Sequence, residues 1–492
     1  MYLVLSITYQ NRLKDKILIY KNKNQFMKYL ILLLSFLILV SCDDKKESYR
    51  YIRKEIHSKE AQADVEAMNK ALQIMKSKGC EDPTSWYYQG AIHWIPDTIK
   101  QNNFCNSYHN LSDSKEGWRH CTHSKSKKEE IHFLVWHRLY TWHFEKIVRK
   151  LSGKKDFALP YWDYTSGDRN KMSLHTLFRD KSSNLYEACR FDSINKGFSI
   201  EGEVERALDI TKLMSYTDYE LFNKNMDRAP HGTIHDYIGH GNDYNDGKLT
   251  FDNPITGSKT PDGLMGWVPT AAFDPIFWTH HANIDRIWQK WTNSENGQMV
   301  TLEMLKSADW DYVFFDENGN KVVYTPEQII EILYSMDYDY DDVKVEPKKQ
   351  QLVTSTKLNY LGETVFNSYL SGKNTSIEMI TPSVSSKTAI IEIEASYSKI
   401  PSGVYEVYLN TDKRDTKSLN FVGFMTFFGE DDKIPDKSCN KGCCSPITVD
   451  GRNKITFRFQ HKIQKRWNFN FYNHNGISTG DLRIDKIKIE YK

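Results

Sequence analysis

The sequence predicts a mainly α-helical, bundle-like domain followed by a C-terminal all-β, sandwich-like domain. Two observations predict it. Apolar residues recur at helical spacing through the first two thirds of the chain. After about residue 345, short alternating runs bounded by turn residues replace them. Pro347-Lys-Lys-Gln-Gln351 lies between the two and has the composition of a linker. We divide the 492 residues into 1–42, 43–60, 61–345 and 346–492.

The first segment reads as an export signal. Met27-Lys28 supplies a possible start and a basic flank. An apolar run over 29–40 follows, then Ser41-Cys42. The run is too short for a membrane-spanning helix. Leu39-Val40-Ser41-Cys42 is similar to a bacterial lipobox, which implies lipidation of Cys42. The expectation is an exported lipoprotein, periplasmic or at the cell surface, held to a membrane by its lipid anchor. Residues 43–60 are polar and charged and suit a tether.

The helical domain begins with residues 61–78, where Val65, Met68, Leu72, Ile74 and Met75 fall at helical spacing. Residues 131–151, 228–238 and 274–291 are three more helices, the first and last apolar enough to be buried. Asp274-Pro275 fits the start of the last one. Strands are expected at 389–395, 403–409, 454–459 and 484–491. With 66 basic and 64 acidic residues well mixed, nothing supports electrostatic nucleic-acid binding. Eight cysteines leave seven once Cys42 is set aside, so at least one has a role outside intrachain disulfides. Cys439, Cys443 and Cys444 suit a disulfide pair plus a partner.

Histidine placement carries the chemistry. His231 and His235 are four apart, which on a helix stacks both imidazoles on one face. His280 and His281 are adjacent in an apolar, aromatic run; buried histidines there are costly unless something satisfies them. They point about 100° apart, so the two do not readily share one ion. His137 lies in a second apolar helix after Cys121-Thr-His123, and His93 sits in an apolar stretch. Two clusters result, each able to offer three imidazoles. Neutral imidazole suits copper, zinc or nickel, and three ligands per ion leave an open position.

On these residues the sequence resembles the type-3 copper proteins: tyrosinases, catechol oxidases and the oxygen-carrying haemocyanins. Trp136-His137-Arg138 leading to Phe144-Glu145 is one specific element. Asp274-Pro-Ile-Phe-Trp-Thr-His-His-Ala-Asn-Ile-Asp-Arg286 is more specific still. The resemblance spans about residues 85–345. It implies two copper ions, with O2 as co-substrate. His93, His123 and His137 would hold one ion; His231, His235 and His281 would hold the other. His280 would be a neighbour of the site, and Asn283, Asp285 and Arg286 would brace its helix. The family has a shorter spacing where thirteen residues separate His123 from His137 here. His132 or His120 therefore competes with His123. Cys121-Thr-His123 matches an element in which the cysteine is thioether-bonded to that histidine, so the resemblance makes Cys121 the odd cysteine.

The resemblance also implies the chemistry: oxidation of small phenolic or aminophenolic substrates to quinones. In such tyrosinases an acid before the first histidine of the second ion holds a water, helped by an Asn after that histidine. Asp227 is the candidate acid here, but Gly232 follows His231 and has no side chain. That favours catechol or o-aminophenol oxidation over monophenol hydroxylation. Asp236 either attracts basic substrates or caps a solvent-facing turn. Val268 falls where a residue overhangs the first ion, and its small side chain would leave access open. The alternatives are a monophenol-hydroxylating tyrosinase, haemocyanin-like oxygen binding without turnover, and a surface adhesion protein with a vestigial site. The β domain resembles the cover of the active-site mouth in plant polyphenol oxidases, and Tyr338-Asp-Tyr340 resembles their junction motif.

Overall fold

A computed structural model describes residues 50–95, 105, 121–123, 129–240, 250–345, 358–370, 374–401, 403–430, 447–449, 451–473 and 481–492. The export signal, Cys42, residues 43–49, His120, the 346–351 linker and Cys439, Cys443 and Cys444 lie outside these.

Residues 51–60, expected to be part of a tether, pack into the fold instead. Tyr51–Arg53 form strand β1, which pairs in parallel with β2 (Tyr338–Tyr340). Arg53 is fully buried; it donates to Glu145 at 2.7 Å and Asp285 at 3.2 Å. A charged segment reads as solvated by composition, yet here its cation meets two buried carboxylates, which makes burial tolerable.

Helix α1 (Gln62–Ser77) buries Val65, Met68, Leu72 and Met75, the stripe its periodicity requires. Ile74 lies at the edge of that stripe and is half-buried. Helix α2 (Trp86–His93) starts where the Ser85 hydroxyl accepts the Tyr88 N–H. Helix α3 (Glu129–Ser152) packs against α1 and against the later helix α7 (Ile276–Asn293). Asp274 accepts the Ile276 N–H at the start of α7, and a two-pronged Arg190 holds that carboxylate at 2.6 and 2.8 Å. Between them lie α4 (Thr211–Met214), α5 (Tyr219–Met226) and α6 (Thr233–His240). The helix expected at 228–238 is shorter at its start. Residues Asp227–Gly232 form a wide turn in which Ala229 is extended, and this turn feeds α6. One aromatic-rich core joins these helices. Cys80 and Cys105 form a disulfide.

The C-terminal region is a sandwich of two antiparallel sheets. Its strands are β3 (Asn359–Tyr369), β4 (Asn374–Ile380), β5 (Thr388–Tyr397), β6 (Tyr405–Leu409), β7 (Phe421–Met425), β8 (Ile447–Val449), β9 (Arg452–Lys462), β10 (Arg466–Asn473) and β11 (Arg483–Tyr491). One sheet runs β8-β9-β5-β11-β3 and the other β7-β6-β10-β4. Alternate residues such as Ile391, Ile393, Val407, Phe457 and Phe469 fill a separate core between them. The fold class is thus the one the periodicities predict. No helix among the described residues is long and apolar enough to cross a membrane.

Candidate dicopper site

Six histidines converge from four helices and one extended segment. His93 ends α2, His137 sits in α3, His231 precedes α6, His235 lies within it and His281 lies in α7. His123 comes from the segment 121–123. The centroids of His93, His123 and His137 form a near-equilateral triangle, with sides of 5.6, 5.6 and 5.7 Å. Those of His231, His235 and His281 form a second triangle, with sides of 4.5, 5.0 and 5.9 Å. Imidazoles binding one ion through Nε2 hold their ring centres about 5 Å apart, given metal–nitrogen bonds of about 2 Å. The triangles touch where His123 lies 5.5 Å from His231 and where His137 stacks on His281 at 4.3 Å.

The ring nitrogens are divided between two tasks. Nδ1–H of His93 donates to the Val268 carbonyl, that of His137 to Phe133, that of His231 to Asp227 and that of His235 to Met265, at 2.8–3.1 Å. The Nε2 atoms of these four are buried and have no hydrogen-bond partner among the described residues; neither nitrogen of His281 has one. Orphaned buried acceptors are costly unless something occupies them. An ion bound at Nε2 would satisfy each one, and in His93, His137, His231 and His235 Nδ1 is already anchored so that the ring cannot turn. Burial first, then repulsion among the rings, holds His93, His137, His235 and His281 well below the usual imidazole range. The rings are therefore in the neutral form that binds metal.

Between the competing second histidines, the structure brings in His123 and leaves His132 out. His132 hydrogen-bonds the Tyr312 hydroxyl at 2.7 Å and packs its ring on Trp310 and Tyr312. Sγ of Cys121 lies within 4.8 Å of imidazole nitrogens of His93 and His123.

Asp227 reaches a ring of each triangle. Its Oδ1 accepts Nδ1–H of His123 at 3.1 Å and lies 3.2 Å from Nδ1 of His231. Burial alone would raise this carboxyl; the two imidazole hydrogen bonds outweigh it and hold it far below the usual carboxylate range. The ionised carboxylate fixes the His123 tautomer that leaves Nε2 facing the site. Val268 reaches His93 through its carbonyl. Asp236 is buried, so it caps no solvent-facing turn. His280 is held at Nδ1 by the Tyr164 hydroxyl at 2.8 Å, and its own Nε2 is unpartnered among the described residues. Asn283 accepts from Arg286, and Asp285 anchors Arg138, Arg53, Tyr338 and Tyr340. These tie α7 to α3, β1 and β2.

A family profile described as the common central domain of tyrosinase matches residues 83–203 and 175–294. Over residues 83–294 the chain carries the central domain of the type-3 copper tyrosinases and polyphenol oxidases. It is 29% identical over 277 residues to a tyrosinase of Hahella sp. (strain CCB-MM4), spanning 52% of this chain and 56% of that protein. It is 26% identical over 340 residues to chloroplastic polyphenol oxidase A1 of Vicia faba, spanning 62% and 50%. The chain thus spans about half the length of the curated relatives it matches. Latent apple tyrosinase shares the fold, with a TM-score of 0.59 at 18% identity over 90% of this chain and 98% of that one. The type-3 family carries a dinuclear copper centre. The donor set here suits it: neutral imidazoles face the site, and the nearest carboxylate, Asp227, faces Nδ1 atoms.

The sequence reading missed one residue at the type-3 site. Phe428, in the loop after β7, lays its ring on His235 at 4.4 Å and 19°. It also lies 5.8 Å from His231 and 5.9 Å from His123. Arg228 pairs with Glu430 at 3.2 Å, and the Thr426 hydroxyl donates to the Arg228 carbonyl at 2.9 Å, fastening the loop on both sides of Phe428. Nothing in the residues around Phe428 marks it locally as reaching the site.

Proposed function

We propose that the chain is a copper-dependent oxidase that converts o-diphenols or o-aminophenols to quinones with O2, and that the C-terminal domain keeps it latent. The observation that carries this reading is the set of buried imidazoles with Nδ1 anchored and Nε2 unsatisfied. His93, His123 and His137 would hold one copper; His231, His235 and His281 would hold the other. When bound, the ions would supply redox chemistry that couples the two-electron oxidation of two diphenols to the four-electron reduction of one O2 to water.

The chain's own residues do the rest. Phe133 and Phe277 pack edge-on to rings of both triangles and keep water from the ligands. Asp227 holds the His123 ring in one tautomer. The carbonyls of Val268, Phe133 and Met265 fix three more rings. A Cβ on Gly232 would sit 2.9 Å from Cβ of Phe428 and 3.2 Å from the Asp227 carbonyl oxygen. The docked loop therefore requires glycine where a monophenol-hydroxylating site has a helping amide. That supports weak monophenol hydroxylation, as does the engagement of Asp227 with His123. A thioether between Cys121 and His123 would pre-organise that ring further.

Oxygen uptake by the copper-loaded protein tests the reading. Catechol, a matched monophenol and an o-aminophenol are compared, with His281→Ala as the blank. Uptake on the diphenol or aminophenol that vanishes in the blank is the expected result. Reversible O2 binding without turnover, after the Phe428 loop has been released, would sink the oxidase and leave a carrier. We further propose export and anchoring through lipidated Cys42. Membrane partitioning that persists in Cys42→Ala would refute the anchor.

A further inference from the structure

A cleft of about 690 Å³ opens between α4 and the β-sandwich. Four lysines line it: Lys212 from α4, Lys387 ahead of β5, Lys417 ahead of β7 and Lys462 at the end of β9. Among the described residues, no aspartate or glutamate lines it. Other cations along the same seam are paired: Arg206 with Glu406, Arg228 with Glu430, Arg458 with Glu130 and Lys492 with Asp218. Among the described residues the four lysines form no ion pair. Like charges gathered without a counter-charge repel one another, so the cleft is short of negative charge.

His461, in the wall of the cleft, carries the same signature. Its Nδ1 faces the Lys462 carbonyl at 3.0 Å and its Nε2 faces the Leu419 carbonyl at 2.9 Å. A neutral imidazole has one N–H, so only the imidazolium donates to both. Burial, then the charge of Lys212, nevertheless lowers this group to about 4. Burial also lowers Lys212 to about 8. Hydroxyls of Ser215, Ser386, Thr388 and Ser418 complete the lining.

We propose that this cleft binds a small dianion, a phosphate or sulfate either free or as a monoester, between the helical and C-terminal domains. The dianion would supply the missing counter-charge and accept from the Thr388 and Ser418 hydroxyls, those of Ser215 and Ser386 being donated to the Lys212 and Lys492 carbonyls. Its lysines come from both sides of the seam, so a bound dianion holds the two domains together and stabilises the docked state by mass action. The inference does not depend on the copper chemistry.

Thermal unfolding of the full chain tests it. Inorganic phosphate, inorganic sulfate and a sugar monophosphate are titrated against sodium chloride at matched ionic strength. The expected result is a saturable rise in midpoint with at least one of the dianions and none with chloride. The free ion and the monoester are separated by which one saturates at lower concentration. Lys212→Gln/Lys462→Gln, and separately Lys387→Gln/Lys417→Gln, should raise the half-saturating concentration roughly tenfold, as lost charge-assisted contacts require. Without dianion, both double variants should be no less stable than the parent, because they relieve repulsion. A rise that is absent, matched by chloride, or unchanged in both double variants would overturn the proposal.

Discussion

The ligand cage and its cover are built differently. The cage lies inside one continuous aromatic core, and backbone carbonyls or a buried carboxylate anchor its imidazoles. The cover has its own core, and among the described residues, outside the Phe428 ring, a small apolar group joins it to the helices: Ala207, Ala229, Val404, Tyr408, Phe421, Phe424 and Tyr472. Polar contacts do the remaining fastening. Arg228 pairs with Glu430, Arg206 pairs with Glu406, and Asn225 donates to the Arg458 carbonyl at 2.9 Å. Apolar packing resists water, whereas ion pairs at a seam compete with it and with salt. The difference teaches that, on the proposed latent reading, the cover would leave while the cage stays folded, and latency would be a property of the seam, separate from metal binding.

The largest effect is expected where the cage itself is broken. Asp227→Ala removes the acceptor for Nδ1–H of His123 and a neighbour of His231. Such outer partners of metal ligands are worth roughly 10–100-fold in metal affinity. Copper titration should show that loss, and Asp227→Asn should recover part of it through its amide oxygen. Fluorescence and thermal unfolding should show the cover still docked. Undiminished copper affinity in Asp227→Ala would mean the carboxylate is not what holds the ring. The same titration sorts the adjacent pair: His281→Ala should bind one copper fewer, while His280→Ala should keep both. The opposite result would exchange their assignments.

A smaller effect is expected from the point where cover meets cage. Phe428 is buried against three of the imidazoles. Removing a buried aromatic side chain forfeits about 1.5–3 kcal/mol of apolar burial. Phe428→Ala should therefore shift the seam toward opening and raise catechol turnover by the intact, copper-loaded chain about tenfold or more. Turnover equal to that of the parent would mean the ring does not gate the site.

What the sequence disclosed of this arrangement follows from how local each signal is. The helices of the cage and the His231–His235 pair are written in spacings of three and four residues, so they were readable. His281 was readable from its apolar run. The choice of His123 over His132 rested on the Cys121-Thr-His123 match alone, because the thirteen residues between His123 and His137 constrain neither one; it is tertiary packing of His132 on Trp310 and Tyr312 that separates them. The carbonyls of Val268, Phe133 and Met265 have no side-chain signature at all. Asp227 was visible as an acid near the site, but its partner His123 is far away in sequence. Residues 51–60 looked solvated because the carboxylates that neutralise Arg53 come from Glu145 and Asp285. Phe428 was hidden for the same reason: nothing local indicates that a loop of the β domain reaches an imidazole on α6.

The smallest effect sharpens the comparison at the rim of the seam. Arg206 is about one-third exposed, while its partner Glu406 is buried and also accepts from Arg414 at 2.9 Å. Arg206→Ala therefore leaves Glu406 with one cation, and the loss should be only about 1 kcal/mol, in the range of partly exposed pairs. Added salt should loosen the parent's cover and raise catechol turnover. In Arg206→Ala the starting turnover should be a few-fold higher and its rise with salt shallower, since one screened contact is already gone. Breaking the drier Arg228–Glu430 pair with Glu430→Gln should cost more, because it strands a guanidinium that is nearly buried. Equal effects from the two would mean that the seam is held by its small apolar group, and turnover should then be insensitive to salt. A graded pair of effects, with salt dependence tracking exposure, is what a polar, detachable cover over a rigid cage requires.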